Sequence, residues 1–170
     1  MPRLRLHLKV LMEPAITVDM AVRSARSVFA QAGIDVQVVS KAALQLPDLE
    51  SVRITDSCQP PGPLTEDQLN LFDHARGIGS KDIVIFFVQS TIRATSGCSQ
   101  HPASVAGAVI SEACSRWTMA HEIGHLLKLT HATGTNRLMF KSTNRIKADP
   151  PNLDQSEIEI ILKSDLVSHP

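Results

Sequence analysis

His121-Glu122-Ile123-Gly124-His125-Leu126-Leu127-Lys128-Leu129-Thr130-His131 is the stretch on which the reading of this chain turns. On an α-helix, residues four apart share a face, so His121 and His125 can present two imidazole nitrogens to one ion about 2.0 Å away without bending the backbone. The ion expected from such a donor set is zinc. Glu122, beside the first histidine, is placed to hold a water on the ion and take its proton, acting as a general base. His131 falls just past the helix, where a returning chain completes a three-ligand centre and leaves a fourth position open for water. With seven His and seven Glu in 170 residues, HExxH arises by chance in roughly one such chain in a hundred, and the third histidine lowers that about another twenty-five-fold. Coincidence is therefore a poor account of the pattern.

The stretch resembles the metzincin clan of zinc endopeptidases, whose signature is HExxHxxGxxH followed by a methionine-containing turn. His121, Glu122, His125 and His131 fall at the matching places. Met139, in Asn136-Arg137-Leu138-Met139-Phe140, follows the third histidine at a spacing similar to that of matrixin-type members, where the thioether forms an apolar floor beneath the metal. The resemblance implies a zinc-dependent endopeptidase acting on peptide or protein substrates, with Zn2+ on His121, His125 and His131 and Glu122 as base. It covers most of the chain in element order, but only residues 121–140 in specific motif. The clan's glycine is Lys128 here. A lysine at positive φ costs on the order of 1 kcal/mol relative to glycine, which metal binding can offset. If instead the helix ran past Lys128, the third ligand would be a downstream glutamate, Glu157 or Glu159, as in the gluzincin pattern. A further alternative is a zinc-bound binding module with little turnover, against which the intact Glu122 speaks, since a structural site needs no base.

A chain of 170 residues, 43% hydrophobic and 20% charged, can bury one substantial core and is short for two domains. The expectation is a single catalytic domain over 1–170, with the sheet and zinc helix in 1–128 and the Met-turn and last helix in 129–170. Seventeen basic and seventeen acidic residues cancel, and no basic run is present. Nucleic acid and anionic membranes are therefore not expected partners, and a monomer is the default. The most apolar run, Ile83 to Val88, is far below the roughly 20 residues of a spanning helix. Residues 1–10 alternate basic and apolar and lack the continuous apolar run of a secretory signal, so the compartment is left open between the cytoplasm and export by another route.

Arg3, Arg5 and His7 alternating with Leu4, Leu6 and Leu8 predict a half-buried first strand. Thr17 or Asp19 caps a helix stopped at Gly33, Ile34–Val39 is a second strand, and Asp82–Val88 is a strand covered on both faces. This strand, helix, strand order suggests a twisted, mostly parallel sheet, and the resemblance implies an α/β (α+β, zincin-like) domain with a backing helix, a zinc-binding helix and a C-terminal helix. Residues 46–80, with Pro60, Pro61 and Pro63, read as irregular connection with one short helix near Thr65–His74. By the resemblance, Ser104–Ser111 is the antiparallel edge strand lining the cleft, where an extended peptide could add; its small residues fit close approach of that peptide and tight packing equally. Ser115 is the expected N-cap of the zinc helix, and Asn152 or Asp154 that of the last helix, which carries Ile158, Ile161, Leu162 and Leu166.

The chain has no tyrosine, so the tyrosine that some metzincins place near the metal is excluded, and oxyanion stabilisation falls to zinc and backbone donors. His7, His74, His101 and His169 lack ligand spacing and read as surface or loop residues. Arg137, Phe140 and Lys141 belong to the wall expected to set specificity. Three cysteines allow one disulfide or three thiols. A Cys98–Cys114 staple or plain structural thiols are favoured over Cys58 as a latency thiol of the matrixin-precursor kind, because no inhibitory motif surrounds it.

Overall fold

The computed structural model describes residues 1–55, 58 and 62–170. Pro60 and Pro61, read above as irregular connection, lie outside the described residues. The first strand, β1 (Arg3–Val10), is followed by α1 (Val18–Phe29) and β2 (Asp35–Ala43). The Thr17 hydroxyl accepts from the Met20 N–H, and Gly33 ends the helical stretch in the left-handed region at φ 67°. Both ends therefore follow from the capping chemistry expected of these residues.

β4 (Ile83–Val88) pairs parallel with β1 on one side and with β7 (Ala106–Ser111) on the other. β6 (Gly97–Cys98) closes the order β2-β1-β4-β7-β6 and runs antiparallel to β7, with Gly97 opposite Ile110. The sheet is thus mixed, with four parallel strands and one antiparallel edge. The placing of that edge corrects the sequence reading. Ser104–Ser111 is not the edge: its strand is paired on both sides, and all six of its residues are buried. Its small residues serve packing, because a β-carbon on Gly107 would stand 2.6 Å from Val84 Cγ1 and 2.7 Å from Phe72 Cε1. The true edge is two residues long, too short to show a strand periodicity.

One face of the sheet carries the larger core, where Leu4, Leu6, Leu8, Ile83, Ile85 and Phe87 meet α1 and the helix α3 (Thr118–Leu126). The other face is covered over β4 and β7 by α2 (Glu66–Phe72), whose Thr65 and Gln68 form a capping box, and by β3 (Ser51–Arg53). β3 pairs with β5 (Ser90–Ile92) in a small second sheet, so the stretch read as mostly irregular also holds a strand. Beyond this cover, His7 is half-buried on β1 and bridges Ser40 Oγ at 2.8 Å and Asp82 at 2.9 Å. His7 is therefore a strand residue in a polar network on the sheet, not a loop residue. The chain closes with α4 (Gln155–Leu162), capped by Asp154 in a capping box with Glu157.

Candidate metal centre

α3 begins with Trp117 at its N-cap position and no side-chain cap. Ser115 does not fill that position. Its hydroxyl accepts from the Trp117 N–H at 3.2 Å, and its carbonyl receives the Thr118 N–H at 3.2 Å, so it shapes the turn before the helix. The whole helix is buried. A face that points polar groups inward needs partners for them, and the two histidines find theirs in backbone.

The C-terminus of α3 delivers the third histidine. Lys128 lies at φ 72°, in the left-handed region where the clan's glycine would stand. The Leu129 N–H donates to Gly124 O and the Lys128 N–H donates to His125 O, both at 2.9 Å. Together these are the two bonds of a Schellman turn, built on lysine. The helix stops there, which removes the arrangement needed for a glutamate ligand. Glu157 instead serves the α4 capping box and an ion pair to Arg137 at 2.9 Å, and Glu159 accepts from Gln155.

The same turn orients the site. The Leu129 carbonyl accepts the Nδ1–H of His125 at 3.0 Å, and the Leu138 carbonyl accepts that of His121 at 2.9 Å. Each bond places the proton on Nδ1 and leaves the Nε2 lone pair free. His125 Nε2 and His131 Nε2 lie 3.2 Å apart, and the ligand atoms of His121, His125 and His131 all fall within 4.8 Å of one another. Donors at about 2.0–2.1 Å on a tetrahedral ion sit roughly 3.3 Å from each other. The group therefore suits a metal ion in donor type, tautomer and spacing. Burial pushes His121 down to about 4, with neighbouring His125 and His131 adding to the effect against the Leu138 bond. His125 and His131 are also lowered, chiefly by burial. Neutral imidazoles, the form that binds metal, are thus favoured.

Glu122 is buried beside them, and burial pushes its carboxyl up to about 8, the Cys58 thiol adding to the shift and a Ser99 hydrogen bond opposing it. Gly97 of β6 lies directly against it: a β-carbon there would stand 2.8 Å from Glu122 Cγ and Oε1. A cleft of about 640 Å³ opens over the group, lined by the three histidines, Glu122, Cys58, Gly97, Lys141 and Thr143 among others. Met139 is fully buried with its sulfur against Gly124. His101, half-buried with Nδ1 donating to Pro102 O at 2.7 Å, lines a second cavity of about 700 Å³ with Lys128 and His125. Gly97 and Ser99 are not singled out by the sequence, since neither composition nor spacing in residues 94–100 marks them, whereas Cys58, weighed there as a latency thiol and disfavoured, does line the cleft. Cys98 meets Cys58 rather than Cys114, which lies in the core on the opposite face of the sheet.

No protein-family model matches the chain, and no curated protein matches its sequence significantly. Solved structures do match. Metalloproteinase-II from Bacteroides fragilis superposes at a TM-score of 0.67 with 17% identity, over 95% of this chain and 52% of that one. Archaemetzincin from Methanopyrus kandleri gives 0.58 with 16% identity, over 95% and 94%. The fold is that of zinc metallopeptidases. A zinc-dependent peptidase from Methanocorpusculum labreanum matches at 0.50 with 12% identity, over 92% and 99%. This chain spans about half the length of the Bacteroides protein. At such identities the likeness speaks for the zincin-like architecture, and the chemistry has to be argued from the side chains.

Proposed function

We propose that this chain is a zinc-dependent endopeptidase in which His121, His125 and His131 hold the ion and Glu122 is the general base. The observation that carries the reading is the pair of Nδ1–H bonds to the Leu138 and Leu129 carbonyls, which turns two Nε2 atoms toward His131. Such second contacts satisfy the buried N–H groups and at the same time fix the tautomer and orientation that ligating histidines need. The fold shared with known zinc peptidases supports it.

A zinc ion in this site would supply Lewis acidity, lowering the pKa of a water and polarising a scissile carbonyl. Glu122 takes the proton from the attacking water and passes it to the leaving amine. Its burial and the close approach of Gly97 keep the carboxyl in one place. An extended peptide adding to β6, the last strand of the sheet, brings its backbone past Gly97 and so beside Glu122. In a chain without tyrosine, Lys141 is a cationic side chain lining the same cleft as the three histidines.

The deciding experiment measures zinc content and peptide cleavage together. Wild type should bind one zinc per chain and cleave internal bonds of a peptide library, with end-group analysis showing endo attack. Glu122→Gln should keep the zinc and lose at least about 100-fold in rate. Equal cleavage by both proteins, or a wild type that holds zinc and cleaves nothing, rejects the proposal and leaves a binding module.

A further inference from the structure

Cys58 and Cys98 stand together on the wall of the cleft, and the hydrolysis above uses neither. Cys98 ends β6 and is fully buried, whereas Cys58 is half-buried and lines the cleft beside Glu122 and the histidines. The two thiols are near enough to act on one another, while Cys58 Sγ meets the Thr55 carbonyl at 3.8 Å and Gln68 Nε2 donates to Cys98 Sγ at 3.9 Å. Backbone holds them in register: the Cys58 carbonyl receives both the Ser99 N–H and the Ser99 hydroxyl at 2.9 Å, so residue 58 is pinned to the neighbour of Cys98. Cys58 also packs against the apolar cluster to which Cys98 belongs. Backbone pairing thus places the two cysteines on neighbouring segments of one cleft wall.

We propose that Cys58 and Cys98 are a redox-active dithiol in the cleft wall, oxidised to a disulfide by small-molecule disulfides of the glutathione class. Three observations assign the roles. Cys58 faces the cleft and can be reached, its thiol is lowered by neighbouring Cys98 and by the charge of Arg93 against the opposing effect of burial, and Cys98 is held in its thiol form by Cys58 and by burial. The Cys58 thiolate attacks one sulfur of oxidised glutathione, breaking its S–S bond and releasing one glutathione thiolate. Cys98 then gives up its proton to solvent and attacks Cys58 Sγ, forming the protein S–S bond and expelling the second glutathione. Two protein thiols are oxidised and one disulfide is reduced to two thiols, so atoms and electrons balance. Cys114 stands apart from this chemistry: burial pushes it up to about 11, and it lies on the other side of the sheet. Because Cys58 lines the cleft, the state of the pair decides whether a bound peptide meets a thiol or a disulfide.

The inference goes beyond the peptidase reading and is tested without an activity assay. The full chain is equilibrated in reduced and oxidised glutathione at a series of ratios, quenched with N-ethylmaleimide, and digested after Lys, Arg and Glu. That digest separates residues 54–66, 94–112 and 113–116, which carry one cysteine each. The expected result is a linked pair of 54–66 and 94–112, two hydrogens lighter than the separate peptides, with Cys114 alkylated. Cys98→Ser should trap Cys58 with one glutathionyl group, and Cys58→Ser should leave Cys98 as a thiol. Wild-type Cys58 that stays a thiol, or stops at the glutathione adduct, or any linkage to 113–116, overturns the proposal. The wild-type digest decides the matter even if neither variant folds.

Discussion

The Met139 sulfur occupies space that a β-carbon on Gly124 would need, 2.6 Å from it, so the turn after His131 packs on the helix with no side chain between. Gly124 is the fourth residue of the HEIGH stretch. Its lack of a side chain is thus a packing requirement of the turn that also orients His121 through Leu138.

Gly124→Ala should destabilise the protein by about 1–3 kcal/mol, since the buried thioether must shift. In a Met139→Ala background the same change should cost less, because the space is then vacant. A urea double-mutant cycle measures this coupling. Additive losses would show that the two residues do not meet.

Lys128 at φ 72° stores strain at the point where the chain turns toward His131. Lys128→Gly should raise metal-free stability by up to about 1 kcal/mol after the extra freedom of an unfolded glycine is subtracted. The urea midpoint reports it. A midpoint that falls instead would mean that the lysine side chain contributes contacts exceeding the strain.

His131 is the exposed member of the three. His131→Ala should leave the circular dichroism spectrum unchanged and weaken zinc binding by more than the about 10–100-fold typical of losing an outer hydrogen-bond partner. Competition with a chromophoric chelator measures the change. Unaltered affinity would remove His131 from the ligand set.

The pH dependence of chelator-treated protein has a defined sign. His121 falls from its ordinary 6.5 to about 4 on burial, so between these values the unfolded chain binds the proton first and stability drops as pH falls. Glu122 rises from 4.5 to about 8, so between those values the folded chain retains a proton the unfolded one has lost, and stability drops as pH rises. Because His125 and His131 are lowered as well, three histidines outweigh Glu122 below about 6.5, so stability should rise with pH toward about 6.5 and fall above it. Glu122→Gln should remove the decline between about 6.5 and 8, which is at most about 1.4 kcal/mol per pH unit. Denaturant titrations over this range test it. A decline that persists in the variant would assign it to another group.

Much of the site was legible because helical geometry is local. Spacing alone put His121 and His125 on one face, and the eight residues from His131 to Met139 sufficed to suggest the turn beneath them. The first strand, its helix and the buried β4 followed in the same way from period and caps. The edge strand did not. Gly97 and Cys98 pair with β7 across thirteen and eleven residues, and two residues carry no period.

The amino-acid pattern by itself pointed to the proposed donor set, the proposed base and the order of the main elements, since each depends on neighbours within a few residues. Tertiary structure alone decided three matters: that a lysine closes the helix, that the Leu129 and Leu138 carbonyls select the histidine tautomers, and that Gly97 and Cys58 flank Glu122. Each depends on chain segments meeting in space. Contacts between distant segments have no spacing rule, because they are set by which surfaces bury together when the sheet and helices pack.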